Sequence, residues 1–344
     1  MSIDFTNERT ARIALAHATH PGDPLTHRLI TEHGCAETID FALTGKLPAG
    51  VNADEFHIWR HGAAFGLGGQ EIERMFAKTA INELTVLTPD APEWEASGID
   101  ALGARTPLAL WAHGNTALLT IPTEKRVTIT GARAATRFGA ELTRDITADL
   151  ASTGHLTVSS ASCGIDAEAH RAALDSGLGT IAVLAGGLER LYPEGNRELF
   201  DEIRQHGLIL SEASPAQLPS RDRFEQRGRL LVALTGAITI IEAGVRSRTM
   251  LLADETAALR RPLGATPGPD TSAASAGCHR LIAERGATPV TSADDIRQMI
   301  QNSETRPPAP QRAGRSASRR NPLPSIDRIG RPGRSDDPTT GLTR

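Results

Sequence analysis

The sequence predicts an α/β protein: an extended Rossmann-like, doubly wound and mainly parallel sheet, with an N-terminal helical domain and a disordered C-terminal tail. Three observations lead there. Nearly uninterrupted apolar runs at residues 127–130, 155–160, 180–184, 208–210 and 237–242 alternate with amphipathic stretches of helical period. That alternation is the pattern of a parallel sheet covered on both faces. The first run stops at Gly131, just before a helix-like segment, where an α/β sheet offers free helix N–H groups to a phosphate. Upstream, residues 8 to 85 or so carry helical spacing alone, and the last forty-odd residues carry almost no large apolar side chains.

The elements follow in order. Residues 1–85 form the helical domain, with helices expected at 8–18, 24–33, 36–43, 54–66 and 71–79 and glycines (Gly34, Gly45, Gly50, Gly68, Gly69) between them. Its histidines, His17, His20, His27, His33, His57 and His61, lack the tight ligand spacing of a metal site and read as surface or core groups. Residues 86–104 connect this domain to the next. Here short apolar runs at 84–87 and 108–112 flank Pro89, Pro92 and Trp94, which suggests two strands around a Pro-rich loop. The Rossmann-like domain spans 105–300, with helices expected at 135–150, 165–174, 196–205, 230–234 and 249–259. Residues 301–344 are rich in Pro, Arg, Ser and Gly, cannot bury enough surface to offset their conformational entropy, and are expected to be disordered.

Charge narrows the function classes. The net charge of −4 conceals an asymmetry: from Asn302 onward there are nine arginines and four acids, so that segment carries +5 and the rest of the chain −9. The net charge does not by itself suggest a nucleic-acid binder, but an acidic body with a basic tail is an asymmetry that a function must explain. Cys35, Cys163 and Cys278 are dispersed, which argues against a disulfide framework and a zinc site. No window reaches the ~18 apolar residues needed to span a bilayer, and the N-terminus lacks a secretory pattern. A cytoplasmic protein with no membrane partner is expected.

The chemistry-bearing residues fall at the carboxyl ends of the expected strands. The turn Gly131-Ala132-Arg133 through Gly139 lacks Gly-x-Gly-x-x-Gly and a ribose-binding acid, so no dinucleotide cofactor, and no other cofactor, is expected. Arg133 and Arg137 near a helix start are ill placed for the helix dipole and better placed for an anion. Ser159-Ser160-Ala161-Ser162-Cys163-Gly164-Ile165-Asp166, with His170 one turn on, offers hydroxyls and small residues for phosphate oxygens, and only a weak catalytic set. Arg221, Arg223, Arg227 and Arg229 surround Phe224 ahead of an apolar helix, a composition suited to holding a strand's phosphates and stacking a base. Arg246, Ser247 and Thr249 close the set. Glycine, hydroxyl and arginine in one crevice, without a convincing general base or nucleophile, favour binding over catalysis.

Taken together, the series Ile129-Thr-Gly-Ala-Arg-x-x-Thr-x-Phe-Gly, Val158-Ser-Ser, Gly164-Ile-Asp-x-x-Ala-His, Gly179-Thr-Ile-Ala-Val-Leu-x-Gly-Gly-Leu, Tyr192-Pro-x-x-Asn, Leu210-Ser-Glu, Arg227-x-Arg and Ile241-Glu-Ala-x-x-Arg-Ser resembles the DprA/Smf family of DNA-processing proteins over roughly residues 105–300. The resemblance implies a non-enzymatic protein that binds and protects single-stranded DNA, loads a RecA-type recombinase in natural transformation, and forms a homodimer. It places Gly131, Arg133, Ser159, Ser160, Arg227, Arg229 and Ser247 around the DNA, with Phe224 against a base. The chain departs from the family pattern at Ala132 for serine, Ser160 for glycine, Cys163 for arginine, Gly228 for asparagine and Arg248 for glycine. The alternative is a nucleotide-binding sensor or N-glycosidic hydrolase, suggested by Glu242-Ala-Gly-x-x-Ser-x-Thr. The hydrolase requires Glu242 to be exposed beside the crevice; a structural glutamate would instead be tied to backbone N–H groups.

Overall fold

A computed structural model describes residues 3–304; the tail expected from residue 301 onward lies almost wholly outside them. Four helices open the chain: α1 (Glu8–Ala18), α2 (Pro24–Thr44), α3 (Ala53–Gly66) and α4 (Gly69–Ile81). Asn7, Asp23 and Asn52 cap the first three by accepting backbone N–H bonds into the first turn. The break expected at Gly34 is a kink inside α2, where φ of 81° and ψ of 169° leave the helical region.

Next come β1 (Thr85–Leu87), α5 (Pro92–Ser97) and β2 (Leu110–Gly114), then the repeating part: β3 (Arg126–Thr130), α6 (Arg137–Ser152), β4 (Leu156–Ser159), α7 (Ile165–Asp175), β5 (Thr180–Leu184), α8 (Arg197–His206), β6 (Leu208–Ser211), α9 (Arg221–Ala233) and β7 (Ala237–Ile240). The chain closes with α10 (Leu252–Ala258), β8 (Leu263–Ala265), α11 (Ala276–Arg285), β9 (Thr288–Pro289) and α12 (Ala293–Glu304). Two local expectations change. The Pro-rich connection contains α5, because Pro92 stands at a helix start where its missing N–H costs nothing. The helix expected from residue 230 begins at Arg221, so the cluster of arginines is helical and not a loop.

The described residues form a nine-stranded sheet of order β1-β2-β6-β5-β4-β3-β7-β8-β9. The pairs β1–β2 and β2–β6 are antiparallel; the others are parallel. Every residue of β3, β4, β5, β6 and β7 is buried, which is why these strands read as continuous runs. One face packs on α9, α10 and α11. The other packs on α1–α4 and α8 at one end and on α6 and α12 at the other. The N-terminal helices therefore share a core with the sheet through Ile39, Met75, Trp111 and Ile209.

Strand order locates the site. The chain steps from β3 through β4 and β5 to β6, then returns so that β7 pairs with the free side of β3. The segments leaving β3 and β7 depart to opposite faces, opening a crevice at their carboxyl ends.

Candidate nucleic-acid interface

A cleft of about 890 Å³ occupies that crevice. The turn after β3 supplies Gly131 and Arg133, the turn after β4 supplies Ser160 and Ser162, and the segment after β7 supplies Gly244, Arg246, Ser247, Arg248 and Thr249. The wall facing them is α9, through Phe224, Arg227, Gly228 and Leu231. Those four positions recur at helical spacing, so one face of α9 looks into the cleft.

The floor is built by close backbone approach. A Cβ on Gly131 would stand 2.8 Å from the Glu242 carbonyl oxygen, and one on Gly164 would stand 2.3 Å from that of Ala132. Gly164 also holds φ at +78°, a conformation glycine adopts without strain. Asp166, the helix-start acid of α7, is buried and ties the turns together. It accepts from Thr130 Oγ1 at 2.7 Å, Gly131 N at 3.3 Å, Ser162 N at 3.4 Å and, very closely, Ser160 Oγ.

Behind this floor, Nε2 of the fully buried His170 accepts from Ala161 N at 3.2 Å, and Nδ1 stands 2.8 Å from Thr180 Oγ1. Thr180 Oγ1 itself donates to the Thr157 carbonyl at 2.8 Å, so the ring proton sits on Nδ1. Burial holds the His170 pKa down at about 3, which keeps the ring neutral. His170 shapes the turn at Ala161, a non-glycine residue at φ +49°, and is not a catalytic base.

Four arginines and four acids line the cleft. Arg133, Arg246 and Arg248 are exposed and Arg227 is half-buried; among the described residues none of the four has a carboxylate oxygen within 4 Å. The acids beside them are already engaged. Glu225 pairs with Arg221 at 3.2 Å, Asp254 with Arg285 at 2.8 Å and Glu255 with Arg105 at 2.9 Å. Arg133 and Arg227 approach the Phe224 ring to 5.5 and 5.4 Å, and Tyr192 meets it edge-on at 6.3 Å. Arg227 donates from Nη1 to the Ser160 carbonyl at 3.3 Å while its Nε finds no partner. Burial lowers its pKa to about 10, with Asp166 opposing the shift and Arg133 adding to it. It remains a cation at neutral pH.

Of the residues singled out from sequence, Gly131, Arg133, Ser160, Phe224, Arg227, Arg246, Ser247 and Thr249 meet in the cleft, with Gly164 packed beneath. Three do not belong to it. Arg229 is fully buried on the other side of α9, bidentate to Glu212 at 2.7 and 2.8 Å and bonded to the Arg105 carbonyl at 2.9 Å. Ser159 is fully buried with Oγ donating to the Ile129 carbonyl at 2.6 Å. Arg223 turns toward the N-terminal helices and donates to the Leu218 carbonyl at 3.0 Å. Arg137, also expected to face an anion, pairs with Glu141 at 2.7 Å along α6.

Sequence reasoning does not single out Thr130, which lacks a distinctive motif, and places Asp166 only in a weak catalytic set; in the structure Asp166 stands at the start of α7 and its carboxylate organises two turns. Glu242 decides the hydrolase half of the alternative reading. It is 1 % exposed and accepts from Thr136 N at 2.9 Å and, at short range, from Thr136 Oγ1. It is therefore a structural cap at the start of α6, unavailable to a glycosidic bond.

Residues 85–301 match the family described as DNA recombination-mediator protein A. The chain belongs to that family. A DNA processing protein, DprA, of Mycobacterium tuberculosis is 42% identical over 224 residues, covering 62% of this chain and 57% of the relative; the chain thus spans little more than half of that relative's length. The crystal structure of DNA processing protein A from Streptococcus pneumoniae aligns with a TM-score of 0.66 at 27% identity, over 86% of this chain and 98% of that one. A structure of the Helicobacter pylori protein, described for its single-stranded DNA binding mode, aligns with a TM-score of 0.57 at 28% identity, over 64% of this chain and 97% of that one.

Proposed function

We propose that the protein binds single-stranded DNA in this cleft, without sequence preference, as a mediator of DNA processing and recombination. The observation that carries the reading is the charge arrangement: four arginines without carboxylate partners line the cleft, two of them, Arg133 and Arg227, against the Phe224 ring, while three of the four lining acids pair with arginines outside it and Asp166 is held by hydroxyl and backbone N–H groups. Arginines fix phosphates and Phe224 offers a face on which any base can stack. The hydroxyls of Ser162, Ser247 and Thr249 give phosphate oxygens short-range partners, whereas that of Ser160 is spent on Asp166. The groups a hydrolytic reaction would recruit, Glu242 and His170, are occupied in holding turns, which favours binding over chemistry.

The family supports the rest of the proposal: a cytoplasmic homodimer that protects the strand and hands it to a RecA-type recombinase. The basic tail adds non-specific attraction for nucleic acid. Direct titration tests the reading. A fluorescent oligothymidylate is expected to bind about tenfold more tightly than a duplex of equal length, since only the single strand can stack a base on Phe224. Equal affinity for the duplex, or no affinity for either, would overturn it.

A further inference from the structure

We propose that the bound strand continues past Phe224 into a second subsite, a groove between the first turn of α9 and the N-terminal helices, which takes the next nucleotides of the same single strand. This rests on the reading of the main cleft as a strand-binding site. The groove holds about 310 Å³ and is framed by His17, Leu25, Ile58, Trp59, Gln217 and Arg223. Its link to the cleft is short: Phe224 lines the cleft and Arg223, one residue earlier, lines the groove. Consecutive helical residues point about 100° apart, so a strand rounding the tip of α9 passes from one to the other. Tyr192 and Leu218, 51 % and 63 % exposed, lie along that path, and a small recess joins Tyr192 and Phe224 to Pro219.

The groove has the chemistry of a nucleotide site. Arg223 makes no ion pair among the described residues; Nη1 donates to the Leu218 carbonyl at 3.0 Å and Nε is buried without a partner. A half-buried guanidinium with unused donors suits a phosphate. At the crossing, Ser220 caps α9 by accepting from Arg223 N at 3.2 Å, and the preceding N–H groups of the first turn lack intrahelical acceptors. Trp59 and Ile58, the latter 79 % exposed, supply an apolar wall for bases. Two acids border the groove without opposing this. Asp23 is engaged as the cap of α2, accepting from Thr26 N at 2.9 Å. Glu55 is exposed, where water and salt screen it. Continuity with the cleft selects the strand itself, and not a protein partner, as the occupant.

The test uses the full chain and anisotropy with oligothymidylates of about six and about twenty nucleotides, lengths that bracket one subsite and two. Ile58→Glu places a carboxylate in the groove at an exposed position that leaves the fold intact, and Arg223→Ala removes the cation. Both are expected to weaken the longer oligonucleotide by roughly tenfold while changing the shorter by less than about twofold. Arg227→Ala, in the main cleft, should weaken both. Wild-type affinity of Ile58→Glu for the longer strand would overturn the second subsite and leave the cleft standing. Failure of the wild type to bind either length would overturn the cleft reading and this one with it.

Discussion

Arg227 and Arg229 lie two positions apart on α9, and the structure gives them opposite tasks. Arg227 keeps unused donors beside Phe224, whereas Arg229 spends its guanidinium on Glu212 and two backbone carbonyls. A fully buried ion pair of this kind is costly to break because the surviving charge is stranded. Arg229→Met should therefore destabilise the fold by about 3–5 kcal/mol, whereas Arg229→Met combined with Glu212→Leu should cost less than the single change. Chemical denaturation of the two variants checks this. A more severe loss in the double variant would show that the pair's worth lies elsewhere. The two arginines look alike in the sequence, and nothing local separates them. Glu212 lies just past the end of β6, so the partner that removes Arg229 from the site is visible only in three dimensions.

At the scale of elements, the turn after β4 depends on α7 behind it. His170 is neutral in the fold, with its pKa held at about 3 against an ordinary 6.5. Between those values the unfolded chain takes up a proton that the folded chain refuses, so stability falls as pH drops through this window and is fully present above it. His170→Gln should flatten the dependence of unfolding free energy on pH between about 6.5 and about 3 by up to one proton. Denaturation curves at a series of pH values measure the change; an unaltered slope would mean the imidazole is accessible to solvent. The strands β3 to β7 were legible in the sequence because burial on both faces makes them continuous apolar runs. The start of α9 was not, since residues 221–229 are mostly charged and become helical through the Ser220 cap and one-sided packing. The short helix α5 was masked by Pro92, which reads as a loop residue until its position at a helix start is known.

On the scale of the whole molecule, an acidic body carries a cleft lined by four arginines without carboxylate partners among the described residues, and the sequence beyond α12 adds further arginine. The topology was readable because strand–helix alternation and the glycine turn dictate a doubly wound sheet. The packing of the N-terminal helices against it through Trp111 and Ile209 was not, since it joins segments distant in the chain. Removing residues 305–344, which leaves α12 whole, should weaken strand binding at low salt and reduce its salt dependence, because fewer counterions are released. Binding unchanged across a salt series would deny the tail that role.

The central claim, that the strand's phosphates sit on the unpaired arginines of the cleft, is tested most directly by the salt dependence of single-strand affinity for the full chain and for Arg133→Ala/Arg227→Ala. Each phosphate that goes without its arginine should lower the slope of log affinity against log salt by about 0.7. The account predicts a slope smaller by roughly 1.4 in the double variant, with weaker binding at every salt concentration. An identical slope and affinity would contradict it and place the strand elsewhere on the molecule.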